Sequence, residues 1–225
     1  VPLQSHGQLL GFCEVVPHSQ EKVFFDESGV VSEWQKDVLF DVGGIIALIL
    51  DNLRLNREIK RQSLIDPLTQ AYNRHYFVDR LTSEVERAVR YARPVSVLFV
   101  DLDDFKLIND KYGHLQGDEV LRMLGRLFTA SLRDVDVVCR YGGDEFVILL
   151  PETETSMALP AAEKLLRSVR SHAFSILDDP ARTLTVTISI GLSTLRPGQS
   201  EDALLKAADA ALYRAKSLGR NRVEV

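Results

Sequence analysis

An α+β fold is expected from three features of the sequence. Two apolar runs of strand length, Val95-Ser96-Val97-Leu98-Phe99-Val100 and Phe146-Val147-Ile148-Leu149-Leu150, read as strands buried on both faces. Gly142-Gly143 separates the second run from another strand-like segment, a tight-hairpin signal because primed turns need positive φ. Stretches of helical apolar spacing lie between the strands. Read in order, these elements give a β-α-β-β-α-β core of the ferredoxin-like kind, two split βαβ units forming an antiparallel sheet with helices on one face.

Residues 1–32 hold glycine-bounded apolar stretches of strand character, Val1-Pro2-Leu3 and Gly7-Gln8-Leu9-Leu10-Gly11-Phe12-Cys13-Glu14-Val15-Val16. Two short strands do not make a stable domain alone, so this part reads as the tail of a truncated one. The chain starts at Val1 rather than Met and has no basic segment with a cleavage site, so it reads as a fragment of something longer, with room for a sensor or membrane anchor upstream. Over 33–63 the pattern is helical: Val38, Val42, Ile45, Ile49, Asn52 and Ile59 repeat in alternating steps of three and four, with Asn56 filling the remaining position. Two readings stand. One is a coiled-coil seam in which Asn52 and Asn56 fix register and partner number. The other is an amphipathic helix packed on its own chain, and Gly43-Gly44 weakens both. Ser63-Leu64-Ile65-Asp66-Pro67 ends the helix, because the residue before proline avoids helical geometry and Asp66 hydrogen-bonds the turn that follows.

The main domain is therefore expected over 64–225. Its pattern gives a helix over 74–92, a strand 94–101, a helix 117–131, strands 135–141 and 146–150, a helix 156–172, a strand 183–192 and a helix 201–217. The first and last helices stand outside the β-α-β-β-α-β core.

Composition narrows the function. The 225 residues are 45% hydrophobic and 26% charged, which excludes disordered and fibrous classes. With 27 basic against 32 acidic residues the net charge is −5, so neither nucleic acid nor an anionic membrane is expected as a partner. Only Cys13 and Cys139 are present, which excludes a disulfide scaffold and points to a reducing cytoplasm. No apolar run approaches the roughly 20 residues of a membrane span.

Two acidic clusters carry the chemistry. The strand at 94–101 runs into Asp101-Leu102-Asp103-Asp104-Phe105-Lys106, and side-chain alternation puts Asp101 and Asp103 on one face if the strand continues. Alone, this also fits a solvated strand end with Asp104 starting a helix. Asp144 and Glu145 sit at the tip of the Gly-Gly hairpin, alone also readable as a plain turn. In a β-α-β-β-α-β sheet the first strand neighbours that hairpin, so both tips converge. Two divalent ions held there would suit in-line attack at phosphorus. Neither GxxxxGK nor GxGxxG occurs, which disfavours a P-loop nucleotidase.

Together, Asp66-Pro67-Leu68-Thr69, Asn73-Arg74, Asp101 to Asn109-Asp110, Gly113-His114, Gly117-Asp118, Arg140 to Phe146, Ser189-Ile190-Gly191, Ala215-Lys216 and Gly219-Arg220-Asn221 closely resemble the GGDEF domain of diguanylate cyclases. The resemblance implies a fold related to nucleotide cyclases and polymerase palms, and condensation of two GTP into cyclic di-GMP and two pyrophosphates across two facing domains. It implies Mg²⁺ or Mn²⁺, two per GTP site, on Asp101, the Leu102 carbonyl, Asp144 and Glu145, with Asp144 assisting deprotonation of the ribose 3′-hydroxyl. Asn109 and Asp118 match the guanine-reading pair, with His114 in the same segment. Lys106, Lys216 and Arg220 match phosphate contacts, and Asp104, Phe105 and Gly143 belong to the substrate-binding stretches.

Arg133 and Asp136 fit the RxxD product-inhibition site, where Lys164 stands in place of a supporting arginine; a surface ion pair is the plainer alternative. Gln70-Ala71-Tyr72 departs from the more usual Gly-Leu or Gly-Ala, and Asp144 is one of two residues the family uses at its position. Residues 1–32 resemble, more weakly, the end of a GAF sensor domain. A homodimer through the helix at 33–63 would bring two GTP-loaded domains together. The rival reading is a catalytically silent module that senses cyclic di-GMP or GTP, or relays dimerisation.

Overall fold

The computed structural model describes the backbone of residues 2–5, 8–12, 33–62 and 64–225, with side chains at 37, 38, 40–53 and 64–225. These fall into two units that divide between residues 63 and 64. In the first, β1 (Pro2–Ser5) pairs antiparallel with β2 (Gln8–Phe12). The rest of the strand-like stretch, through Val16, lies outside the described residues. Helix α1 (Glu33–Gln62) runs unbroken through Gly43-Gly44. Its small residues Gly43 and Ala47 are buried one turn apart, whereas Val38, Val42, Ile45 and Ile49 of the expected seam are exposed. The side chains of Asn56 and Ile59 lie outside the described residues.

The second unit contains, in chain order, β3 (Tyr72–Asn73), α2 (Arg74–Tyr91), β4 (Val95–Leu102), α3 (Phe105–Tyr112), α4 (His114–Ser131), β5 (Val137–Gly142) and β6 (Glu145–Pro151). It continues through α5 (Thr155–Ser171), β7 (Phe174–Ile176), β8 (Asp179–Leu184), β9 (Ile188–Thr194), α6 (Glu201–Ser217) and β10 (Val223–Glu224). The main sheet has the order β10-β9-β4-β6-β5-β3. Its four central strands are antiparallel and give the expected ferredoxin-like topology. The two-residue strands β3 and β10 extend the edges in parallel.

All eight residues of β4 are buried, as its nearly all-apolar run requires, with Ser96 and Asp101 as its buried polar members. Alternation divides them. Leu98, Val100 and Leu102 join Phe146, Ile148 and Leu150 in the core under α4 and α5; Val95, Val97 and Phe99 join Val147, Leu149 and Cys139 under α2 and α6. Helices therefore cover both faces of the sheet, not one. Helix starts follow local chemistry: the Asn73 side chain accepts from Tyr76 N at 3.0 Å to cap α2, and Ser200 accepts from Ala203 N at 3.3 Å to cap α6. Glu201 and Asp202 open α6 and Arg214 and Lys216 close it, matching the helix dipole.

Two expectations are corrected. The single strand at 183–192 is divided between β8 and β9. The buried alternation of Leu184, Val186, Ile188, Ile190 and Leu192 passes straight through the break, so the pattern hides it. Leu184 pairs with Phe174 in a separate hairpin, while Thr187 accepts from Asp103 N through its carbonyl at 3.0 Å. Helix α3 is missing from the expected order, although the plainer reading of the acidic stretch starts a helix at Asp104; it fully buries no residue and packs only Phe105, Ile108 and Tyr112 partly against the core. Gly113, at φ 81°, then turns the chain directly into α4, which starts three residues before its expected position.

Gly191 of β9 meets the backbone of α6. A Cβ there would run into the Ala208 carbonyl and the Leu212 nitrogen, neither of which can rotate away. Gly191→Ala is expected to destabilise the domain by about 3 kcal/mol, read from the urea midpoint at unchanged slope.

Candidate active site

The site begins in the turn before β3. Asp66 Oδ1 accepts from Thr69 N at 2.8 Å and Thr69 Oγ1 at 2.7 Å, holding the turn from its side chain. Arg140 on β5 then spans two features with one guanidinium. Its Nη1 lies 3.3 Å from Asp66 Oδ1, while Nη2 and Nε donate to the Gly143 carbonyl at 2.8 and 3.0 Å. Burial alone would raise the Asp66 pKa, but the Thr69 and Arg140 donors together hold it below the ordinary carboxylate value.

The Arg140 fork braces the hairpin between β5 and β6. Gly142 pairs with Glu145, leaving Gly143 and Asp144 as the turn; Gly143 takes φ 51°, and Asp144 keeps a negative φ. Glu145 stands in register opposite Asp101 on β4, and Asp101 is opposite Ser189 on β9. Asp101 and Glu145 therefore share the α6 side of the sheet with Asp144 at the adjoining turn. Helix α6 brings Lys216, whose Nζ lies 2.8 Å from Asp101 Oδ2.

The crowding is visible in the titration of these groups. Burial pushes the Asp101 pKa up, the Lys216 ammonium opposes it, and the charges of Asp144 and Asp103 add to the rise. Glu145 is raised by burial, then by Asp101 and Asp144, with Lys216 opposing and Asp209 of α6 adding repulsion. Among the described residues no group of three or more His, Cys, Asp or Glu side chains could enclose a metal ion as it stands. The donor chemistry nevertheless fits a hard divalent cation, because mutually repelling carboxylate oxygens are what such an ion relieves.

Asp103 does not join this cluster as the alternation suggested. Strand β4 ends at Leu102, and Asp103 instead accepts from Thr187 Oγ1 at 2.7 Å, Ser189 Oγ at 2.7 Å and Asn221 N at 3.1 Å. Asp104 follows at φ 54°, and Arg220 Nε lies 3.6 Å from its Oδ1. Phe105 is half-buried and Lys106 exposed on α3.

Asn109 of α3 lies over Gly117 of α4, where a Cβ would collide with its Oδ1 and lie 3.0 Å from the Phe105 ring. That Oδ1 is buried and has no hydrogen-bond partner. Asp118, half-buried, follows Gly117, and exposed His114 is the first residue of α4.

At the other end of α4, Arg133 N donates to Asp136 Oδ2 at 2.9 Å and Asp136 N to the Arg133 carbonyl at 3.0 Å. Their side chains are not within ion-pair distance, although the Arg133 charge still acts on Asp136. Burial raises the Asp136 pKa against the opposing effect of Arg133, and Asp136 Oδ1 is buried without a partner. Lys164 of α5 donates to the Ser131 carbonyl at 2.7 Å. Arg133, Asp136 and Lys164 line one cavity of about 170 Å³ with Met157 and Ala161.

Sequence reasoning missed the Arg140 fork and Asp209. The first had a signal, an arginine flanking a glycine turn; the second, one more exposed acid on a helix, had none.

A split-βαβ sheet bearing a Gly-Gly-Asp-Glu-Phe hairpin beside its central strand defines a GGDEF-type domain. The family described as "Diguanylate cyclase, GGDEF domain" matches residues 63–222. The chain belongs to that family. Response regulator PleD of Caulobacter vibrioides is 43% identical over 175 residues, 77% of this chain and 38% of that protein. Diguanylate cyclase A of Treponema denticola is 32% identical over 227 residues, 99% of this chain and 58% of that protein. The chain thus spans less than two thirds of the length of either relative. The coiled coil and GGDEF domain of DgcB from Caulobacter crescentus, solved with c-di-GMP, superposes with a TM-score of 0.70 at 28% identity, covering 84% of this chain and 97% of that one.

The Arg140 fork makes a stability prediction with a definite sign. Asp66 has a lowered folded pKa, so its contribution is complete above the ordinary aspartate pKa and is lost as pH falls through the lower folded value. Asp66→Asn is expected to cost about 1–2 kcal/mol at neutral pH. Denaturant titrations at neutral and strongly acid pH should show that gap closing on acidification; a constant gap refutes the linkage.

Proposed function

We propose that this chain is the output portion of a diguanylate cyclase, condensing two GTP into cyclic di-GMP and two pyrophosphates across a pair of domains. The observation that carries this is the convergence of Asp101, Asp144 and Glu145 beside Lys216 in a domain of this family. In each half-reaction a ribose 3′-oxygen forms a bond to the α-phosphorus of the opposing GTP as the bond to the bridging oxygen breaks. Pyrophosphate leaves, and Asp144 assists removal of the hydroxyl proton. Lys216, Arg220 and Lys106 hold the triphosphate, with Asp104 and Gly143 beside it. Asn109 and Asp118 read the guanine edge, the carboxylate accepting from N1 and the 2-amino group, with Phe105 and His114 alongside. Two divalent ions, Mg²⁺ or Mn²⁺, would be held by Asp101, the Leu102 carbonyl, Asp144 and Glu145, and when bound they neutralise the triphosphate and the charge that builds at phosphorus.

Three further elements complete the reading. The exposed apolar stripe of Val38, Val42, Ile45 and Ile49 supports a homodimer through α1, which a reaction shared between two sites requires. Residues 1–32 are the end of a GAF-like sensor in a cytoplasmic chain, 33–63 the signalling helix and 64–225 the catalytic domain. The Arg133, Asp136 and Lys164 cavity takes the product as a feedback inhibitor, with the unpartnered Asp136 oxygen available to a guanine donor.

Purified chain incubated with GTP and Mg²⁺ across protein concentrations is expected to form cyclic di-GMP at a rate per molecule that rises with concentration. Asp144→Ala should lower that rate by at least about a hundredfold with GTP still bound; near-normal turnover would remove the assignment. Gly117→Ala pushes the Asn109 side chain aside and should raise KM for GTP about tenfold with a smaller change in kcat. Arg133→Ala should raise the cyclic di-GMP concentration for half-inhibition by about tenfold or more, and an unchanged inhibition curve would dismiss the product site.

A further inference from the structure

We infer that Asp103 is a positioning residue that clamps the turn carrying Arg220, rather than a member of the metal-binding set. The inference rests on the reading of Arg220 as a phosphate contact. Three consecutive residues, Gly219, Arg220 and Asn221, take φ of 107°, 61° and 48°. Glycine adopts such values freely and asparagine tolerates them, but an arginine does so rarely, and strain of this kind persists only where the surroundings over-determine it.

The surroundings here converge on one carboxylate. Asp103 is 7% exposed, and both its oxygens are engaged, Oδ1 by Ser189 Oγ and Oδ2 by Thr187 Oγ1 and the Asn221 backbone nitrogen. Asn221 offers nothing in return through its own side chain, whose buried Oδ1 has no partner. The turn is tied to α6 by Arg220 N donating to the Ala215 carbonyl at 3.0 Å, and to β9 by Ile190 N donating to the Arg222 carbonyl at 2.9 Å. Between these ties, the Asn221 backbone nitrogen donates to Asp103. One carboxylate thus joins the start of β9 to the turn that aims Arg220, from two residues beyond Asp101. Both carboxylate oxygens are used because three donors meet them, and an amide has only one acceptor oxygen to offer.

The test uses inorganic pyrophosphate with Mg²⁺, titrated calorimetrically into the whole chain, beside KM and kcat for GTP. Asp103→Asn is expected to weaken pyrophosphate binding about tenfold or more and to raise KM more than it lowers kcat. Adding Asn221→Gly to that variant should restore the affinity to within about threefold, because glycine holds the left-handed turn without a clamp. Ser96→Ala controls for general destabilisation. Ser96 is buried at the opposite end of β4, donating to the Thr153 carbonyl at 2.7 Å, and its loss should lower the Tm yet leave pyrophosphate affinity unchanged. An unaffected Asp103→Asn, an equal loss in Ser96→Ala, or failure of Asn221→Gly to restore binding overturns the clamp.

Should Asp103→Asn not fold, hydrogen exchange in the unaltered chain decides: a protected Asn221 amide supports the clamp and a freely exchanging one refutes it. Product formation by the unaltered chain tests the underlying reading separately. Pyrophosphate binding that depends on Asp103 in a chain making no cyclic di-GMP sinks the cyclase reading and keeps the clamp. Turnover indifferent to Asp103→Asn does the reverse.

Discussion

The register of β4 between β6 and β9 is the constraint on which the rest of the structure depends. Asp101 faces Glu145 on one side and Ser189 on the other only because Val95 to Val100 pairs without a bulge against both neighbours. A slip of one residue would turn every side chain to the opposite face, burying Asp101 under α4 and α5 and away from Glu145 and Lys216. Uniformly apolar strands leave that choice open in principle, since either face accepts them. What breaks the tie is size and polarity at the ends: Gly191 fits only against α6, and the carboxylates are tolerated only where Lys216 meets them.

Much of this was legible in the residues themselves. The two apolar runs, the glycine hairpin and the helical spacings carried the central topology, and the acidic strand end together with the hairpin tip located the site. The rest was hidden for identifiable reasons. Helix α3 is short and fully buries no residue, so its stripe of Phe105, Ile108 and Tyr112 is weak. The break between β8 and β9 preserves strict alternation, and only the Asp103 contact with Thr187 marks where the chain leaves one sheet for the other. Asp101 and Asp103 look equivalent as letters, yet strand termination sends the second into a hydrogen-bond network that no periodicity encodes.

The site is assembled by supports that arrive from distant parts of the chain and act on different atoms. Arg140 fixes the Gly143 carbonyl from the turn at Asp66, while the close seat of α6 on Gly191 governs how far Lys216 reaches. Neither support touches the carboxylates it serves except through backbone or a single ammonium. Asp101 and Glu145 can therefore keep raised pKa values without the surrounding scaffold relaxing to relieve them.

Cys139 lies on β5, next to Arg140 and in the core beneath α2 and α6, fully buried, with burial pushing its thiol up to about 12. In the folded domain this sulfur is chemically silent toward alkylating reagents. Its labelling therefore marks each moment at which the strand bearing the arginine fork comes away from its covering helices. The sheet thus carries its own reporter of that opening, read by a thiol reagent without any residue having to be introduced.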